Sequence, residues 1–309
     1  MWTAATLWVA TLAGAAVYVW LAARAIAAGS ASIPWIFGIV AIYFGIVLFL
    51  WGVYFTLAWF FRARRPREVG IGPRATVRLL WREYKALAFA APRMMFYGVL
   101  VRDPSPARVD VPVLLLHGVL CNAGVWTRMS RFLKRCGIDG VYSLSYGPPL
   151  ASIETFADQL ADRIERISKA TGARSVMVVS HSMGGLVVRA YMRKHGIGRL
   201  ASVMTIGAPH HGSVHAWLLF GTSLAQLRPG NAWLAELNRV RLHPALRFVS
   251  LWSWHDSMVA PQTSAELPGA SDVAVIGVGH NALLADGEVL ERTHAEIVGA
   301  RADARRHGA

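Results

Sequence analysis

A serine hydroxyl becomes a nucleophile near neutral pH only when a base takes its proton and donors meet the charge that develops on the substrate. Serines at sharp strand-to-helix turns are therefore the first residues to weigh. The stretch Val178-Val179-Ser180-His181-Ser182-Met183-Gly184-Gly185-Leu186-Val187-Val188 runs from an apolar strand through small residues into a helix, with Ser182 at the apex. Such an elbow lifts the hydroxyl above the C-terminal edge of a sheet, at the N-terminus of the helix that follows. Ser180, Gly184 and Gly185 are small where strand and helix must approach closely. In the usual G-x-S-x-G spacing Ser180 stands at the first glycine, a modest departure that a small side chain tolerates.

A second turn supports the first. Leu114-Leu115-Leu116-His117-Gly118-Val119-Leu120 is a strand ending in a His-Gly turn, which can bring a backbone N–H beside Ser182. The expected oxyanion donors are the amides of Val119 and Met183, with His117 as a structural hydrogen-bonder rather than a catalyst. A base and an acid are then needed in the order Ser, acid, His. Asp256 follows the run Ser250-Leu251-Trp252-Ser253, and His280 follows Val275-Ile276-Gly277-Val278-Gly279. A buried carboxylate would fix the imidazole tautomer, and the imidazole would accept the serine proton. Asp272 and Asp286 are the competing acids: Asp272 begins a strand, at the wrong end of the sheet, and Asp286 comes after the histidine.

These segments, together with Thr205-Ile206-Gly207-Ala208-Pro209-His210-His211-Gly212-Ser213, resemble bacterial triacylglycerol lipases of the α/β-hydrolase superfamily. The last stretch is similar to the "T-I-G-T-P-H-x-G-S" segment that follows the strand after the elbow in those lipases. The resemblance runs from about residue 110 to 300. It implies Ser182, Asp256 and His280 as nucleophile, acid and base, and Val119 and Met183 as oxyanion donors, with Asp256 resting most heavily on it. It implies no required cofactor. Some of these lipases carry structural calcium, but no acidic cluster here argues for a metal. His210 and His211 read as loop-packing residues.

The elements that must position these groups are legible as short apolar runs alternating with amphipathic helices from residue 111 onward. The runs are 111–116, 141–144, 175–180, 202–206, 248–252 and 273–278. Between two of them Phe156, Leu160, Ile164 and Ile167 recur at helical spacing. Uninterrupted apolar strands alternating with helices predict an α/β fold, a mostly parallel sheet flanked by helices. Residues 105–302 are the expected α/β-hydrolase domain and 303–309 a C-terminal tail. Residues 214–246 form an insertion rich in Trp and Leu, a candidate lid with Trp217, Leu218, Phe220 and Leu224 as its acyl-pocket residues, or ordinary helices capping the sheet.

Ahead of the domain the composition is different. Residues 1–61 carry a single charge, Arg24, and two apolar runs at about 2–23 and 35–61. Each exceeds the roughly 20 residues that cross a hydrocarbon core of about 30 Å. Trp2, Trp35 and Trp59 lie near the ends of the runs, where interfacial aromatics anchor. A short Gly-Ser-Pro break joins them, so a transmembrane hairpin is expected, with a single uncleaved anchor as its competitor. Residues 62–104 then hold ten basic and three acidic residues, half of the net charge of +14. By the positive-inside rule the basic flank Arg62-Ala63-Arg64-Arg65-Pro66-Arg67 stays cytoplasmic. A helix over 73–91 is expected, either lying in the headgroup layer or packed on the domain.

Hydrophobic residues make up 54% of the chain, which excludes a disordered protein, and two cysteines exclude a disulfide scaffold. Cys121 and Cys136 are expected to be reduced if the domain is cytoplasmic. The positive charge lies beside the membrane runs without a nucleic-acid-binding motif, so the expected partners are the bilayer and an apolar ester rather than nucleic acid. The sequence thus predicts a bacterial inner-membrane, multi-pass serine hydrolase of carboxylic esters. A thioesterase or an acyltransferase on the same triad is the alternative within the fold, and a non-catalytic membrane adaptor the alternative outside it. Oligomeric state is not legible.

Overall fold

The computed structural model describes residues 2–307. Two long helices come first, α1 (Trp2–Ala27) and α2 (Ser32–Phe60), both long and apolar enough to cross a membrane and only 6% buried along their apolar windows. Helix α1 runs on through Arg24 and stops before Gly29, whose φ of +95° suits a left-handed cap. Helix α2 begins at Ser32, ahead of the expected position 35, because Pro34 falls in its first turn, where a proline costs no hydrogen bond. Tyr18 Oη donates to the Trp35 carbonyl at 2.6 Å, joining the two helices near their turn.

Three helices link this hairpin to the sheet: α3 (Pro73–Ala88), α4 (Ala90–Met95) and α5 (Tyr97–Leu100). The helix expected over 73–91 breaks at Phe89, and it packs rather than floats. Trp51 Nε1 donates to the Leu80 carbonyl at 3.2 Å, Tyr84 Oη to the Phe44 carbonyl at 3.3 Å, and Tyr43 Oη to the Ala88 carbonyl. The middle of α2, residues 43–51, therefore lies against α3, while Leu79 and Glu83 of α3 are buried and Val77 and Trp81 remain exposed.

The domain follows as β1 (Val113–Leu116), α6 (Thr127–Arg135), β2 (Val141–Leu144), α7 (Ile153–Thr171), β3 (Val176–His181) and α8 (Gly184–His195). It continues as β4 (Leu200–Ile206), α9 (Thr222–Gln226), α10 (Ala232–Arg239), β5 (Arg247–Ser253), β6 (Ser271–Val275) and α11 (Gly287–His307). The six strands form one parallel sheet in the order β2-β1-β3-β4-β5-β6. Successive side chains alternate between two cores. Leu114, Leu116, Val178 and Val203 face α7 and α8, and Val113, Leu115, Val179 and Met204 face α6 and α11. Burial on both faces is why the strands read as unbroken apolar runs.

Further boundaries differ from the sequence reading. Strand β6 spans 271–275 rather than 273–278, since Gly277 at φ +72° turns the chain out of the sheet. Residues 303–307, expected as a tail, continue helix α11, and 308–309 lie outside the described residues. The segment 214–246 also divides. Leu224, Leu227, Leu234 and Leu237 join the α7–α8 core, so Leu224 packs inside the domain. Trp217, Leu218, Leu219 and Phe220 stand exposed, Phe220 at 87%.

Candidate active site

The strand order reverses between β1 and β3: the chain leaves β1 for β2 on one side and returns to β3 on the other. In open parallel sheets the crevice outside the carboxyl ends of strands at such a switch is where ligands bind. The His117-Gly118 turn closes β1 and the Ser182 elbow closes β3, so both motifs lie at this point.

Ser182 has φ +55°, a left-handed conformation that costs a non-glycine residue on the order of 1–3 kcal/mol. Two backbone bonds hold it there. Its N–H donates to the Ile206 carbonyl at 2.9 Å, and its carbonyl accepts from Gly185 N at 3.0 Å. Gly118 is packed against the serine, since a Cβ at 118 would lie 2.8 Å from Ser182 Cβ and 3.3 Å from its Oγ. Ser180 is fully buried in the strand below. Among the described residues the amides of Val119 and Met183 donate to no protein acceptor, which leaves both N–H groups available to an oxyanion.

Helix α8 leaves the elbow under close packing. A Cβ on Gly185 would come 2.5 Å from Ala208 Cβ and 3.2 Å from Thr205 Cγ2. Gly185→Ala must push α8 away from the residues after β4, and overpacking of this kind costs about 1–3 kcal/mol. Thermal unfolding in detergent should show a melting temperature lower by several degrees; an unchanged value would mean that the elbow yields freely.

Asp256 and His280 meet at the end of β5 and in the loop after β6. Asp256 Oδ2 accepts from His280 Nδ1 at 2.9 Å, with both side chains almost wholly buried. The other oxygen, Oδ1, accepts from Met258 N at 2.8 Å and Val259 N at 2.7 Å, so the carboxylate cannot swing away. Burial by itself pulls the His280 pKa down. The Asp256 charge and hydrogen bond, with the more distant charge of Glu83, outweigh it and leave the imidazole above its ordinary value. With Nδ1 engaged, Nε2 is the nitrogen left to exchange protons. Gly207, next to the Ile206 carbonyl that holds Ser182, lies against this pair: a Cβ there would be 3.2 Å from Asp256 Oδ2 and 3.4 Å from His280 Nδ1.

The competing acids lie elsewhere. Asp272 accepts from Leu267 N at the start of β6, and Asp286 pairs with Arg82 at 2.5 Å and caps the first turn of α11. His117 is neutral, its pKa pushed down to about 4 by burial; it stacks on Tyr146 and contacts the Gly118 carbonyl through Nδ1 at 2.8 Å. His210 is buried beside Thr205, and His211 contacts Asn238. Cys121 and Cys136 are free thiols. The described residues contain no cluster of three or more metal-ligating side chains.

The sequence reading missed Glu83. It is 2% exposed and its carboxylate reaches the loop that carries His280. A signal was present: Thr76, Leu79, Leu80, Glu83, Tyr84 and Leu87 recur at i, i+3, i+4, i+7, i+8 and i+11, which puts this glutamate on the packed stripe of α3.

A family model for the alpha/beta hydrolase fold matches residues 111–285, more than half of the chain, and the chain belongs to that family. The mature form of the Bacillus licheniformis lipase BlEst2 superposes with a TM-score of 0.53 at 19% identity, covering 65% of this chain and 96% of that one. Aspergillus fumigatus lipase B superposes with a TM-score of 0.52 at 20% identity, covering 59% and 50%. These likenesses are of fold. In sequence, 116 residues are 31% identical to Lecithin-cholesterol acyltransferase-like 4 of Arabidopsis thaliana, covering 36% of this chain and 19% of that protein. A further 104-residue match, 30% identical, is to Non-heme chloroperoxidase CPO-A1 of Kitasatospora aureofaciens, covering 31% and 36%. The chain thus spans about a fifth and about a third of the lengths of these two relatives.

Proposed function

We propose that the chain is a membrane-anchored serine hydrolase that cleaves carboxylic esters bearing an apolar acyl group. The observation that carries this reading is the buried Asp256–His280 pair at 2.9 Å, at the same edge of the sheet as a serine held at φ +55° whose neighbouring amides, Val119 and Met183, donate to no acceptor among the described residues. Ser182 Oγ attacks the ester carbonyl as His280 Nε2 takes its proton, and the oxyanion is met by the amides of Val119 and Met183. Collapse of the tetrahedral intermediate expels the alcohol, which receives that proton from His280. Water, deprotonated by the same nitrogen, then attacks the acyl-enzyme and releases the acid and Ser182.

Anchoring rests on α1 and α2. Their domain-side ends meet the sheet at its C-terminal edge: Thr3 Oγ1 donates to the Cys121 carbonyl at 3.0 Å, and His215 Nε2 lies 3.1 Å from the Tyr54 carbonyl. The C-terminal edge of the sheet therefore lies at the base of the hairpin, where Leu120 and residues 217–220 expose apolar surface. Arg82, Lys85, Arg93 and Arg128 line a cleft of about 440 Å³ nearby, suited to anionic headgroups. A cytoplasmic domain follows from the basic flank at 62–67. A C-terminal alkaline phosphatase fusion should then be inactive, and an active one would place the domain on the other side.

Replacing Trp217 and Phe220 by serine should impair hydrolysis of long-chain p-nitrophenyl esters about ten-fold more than that of short-chain ones, because only long acyl chains reach this surface. Equal losses on both would remove residues 217–220 from substrate binding. Acyl transfer to an alcohol is the second reading, favoured by the likeness of 116 residues to a protein named as acyltransferase-like. Lipid profiles of membranes carrying the wild type and Ser182→Ala would separate the two by product.

A further inference from the structure

Helix α3 precedes the domain by some 25 residues of chain, yet two consecutive residues of it fasten the loop between β6 and α11. Glu83 Oε1 accepts from Asn281 N at 2.9 Å, from Asn281 Nδ2 at 2.8 Å and from Ser257 Oγ at 2.8 Å, and Oε2 accepts from Ala282 N at 2.9 Å. Ser257 Oγ in turn accepts from His280 N at 3.4 Å. One carboxylate thus ties the residue after Asp256 to the residues after His280. Gly279 lies so close that a Cβ there would be 2.6 Å from Glu83 Oε2. At the far end of the same loop, Arg82 pairs with Asp286.

A buried carboxylate with four donors is fixed, and the backbone that donates to it is fixed in turn. An imidazole must also be held to within about 0.5 Å if it is to shuttle a proton efficiently. We propose that Glu83 is a positioning residue for His280: it sets the backbone on both sides of the Asp256–His280 pair and places a second negative charge behind the imidazolium that forms during catalysis. This rests on the serine-hydrolase reading above. It also makes α3 part of the apparatus that holds His280, although that helix lies outside the region matched by the family and packs along the same stripe on α2.

The titratable groups facing His280 are few. Asp256 comes from the end of β5 and Glu83 from α3. His181, from the elbow, has its ring 4.5 Å from that of His280 and its Nε2 3.2 Å from the His280 carbonyl. His215, from the turn after β4, lies within range of the charges of Asp256 and His280. Burial lowers the pKa of both flanking histidines, whereas Asp256 and Glu83 both act to raise that of His280.

The test uses the full-length protein in detergent micelles, with active sites counted by fluorophosphonate labelling so that kcat is expressed per competent site. Glu83→Gln should lower kcat about 10- to 100-fold, the scale of losing an orienting partner behind a catalytic histidine, with KM within about two-fold. It should also move the acid limb of kcat/KM to lower pH, because a charge that favours imidazolium is gone. Ser257→Ala, which removes one tether and keeps the charge, should lower kcat less and leave the limb in place. A merely structural glutamate would reduce the number of labelled sites and leave kcat per site and the limb unchanged, and that result overturns the proposal. Full kcat in Ser257→Ala also counts against it. If Ser182→Ala still hydrolyses the ester, it is the serine-hydrolase reading that fails; an inactive Ser182→Ala alongside an unaltered Glu83→Gln sinks the positioning role alone.

Discussion

Ser182→Ala should abolish hydrolysis of p-nitrophenyl esters and labelling by a fluorophosphonate, with kcat down on the order of 10⁶-fold, since triad nucleophiles contribute on that scale. The substitution removes one oxygen and leaves the fold's contacts alone. Alanine at 182 must still adopt φ near +55°, which the Ile206 and Gly185 backbone bonds enforce whatever the side chain. Melting temperature should therefore hold while activity disappears. Labelling that persists in the mutant would move the nucleophile elsewhere. Activity that persists without labelling would point to hydrolysis by a different chemistry. The non-catalytic adaptor reading makes the opposite prediction, that the wild type neither hydrolyses nor labels.

Asp256→Asn should cost about 10⁴-fold in kcat, because an amide in place of the carboxylate no longer fixes the imidazole tautomer or stabilises its charged form. A second signature follows from charge. His280 must be neutral to accept the serine proton, so activity falls as pH drops through its pKa. Asp256 holds that pKa above the ordinary histidine value against the opposing pull of burial. Removing the charge lets it fall, and the residual activity of the mutant should begin to rise at lower pH than in the wild type. A mutant with an unmoved acid limb and kcat within about ten-fold would show that His280 has another partner. Asp286 is poorly placed for that, because Arg82 and the first turn of α11 occupy its oxygens. Glu83→Gln should shift the limb in the same direction with a much smaller loss, so comparing the two separates the pairing carboxylate from the positioning one.

The elbow was readable because everything that makes it lies within a dozen residues: an apolar strand, small residues at 180, 184 and 185, and an apolar-faced helix. The positions of Asp256 and His280 were readable for a related reason, as each follows a strand-like run in the expected order. That Asp256 contacts His280 was an expectation drawn from family likeness, and the 2.9 Å contact comes from strands placed side by side by the sheet. Asp286 illustrates the limit. Its sequence position excluded it only by order, whereas the structure shows its oxygens taken by Arg82 and two helix amides.

Segment 214–246 was not divisible from composition, because Leu224 and Phe220 look alike in a hydropathy profile. In the structure Leu224 sits in the core between α7 and α8, and Phe220 faces outward. Helix α3 was ambiguous for the same reason: an amphipathic pattern says that one face is covered and not by what. Here α2 covers part of it and the His280 loop the rest.

By itself the sequence determined the alternating strands and helices, the apolar hairpin ahead of them and the turn that presents Ser182. Local periodicity and turn chemistry specify such features, and they act between neighbours along the chain. Only the tertiary structure decided which carboxylates surround His280. The partners of Glu83 lie 174 to 199 residues away in the sequence, and although the stripe of α3 marks the glutamate as covered, no local pattern encodes hydrogen bonds that packing assembles. A glutamate on a basic helix reaches the loop that carries His280 because that helix docks beside it, where burial without those four donors would be too costly to sustain.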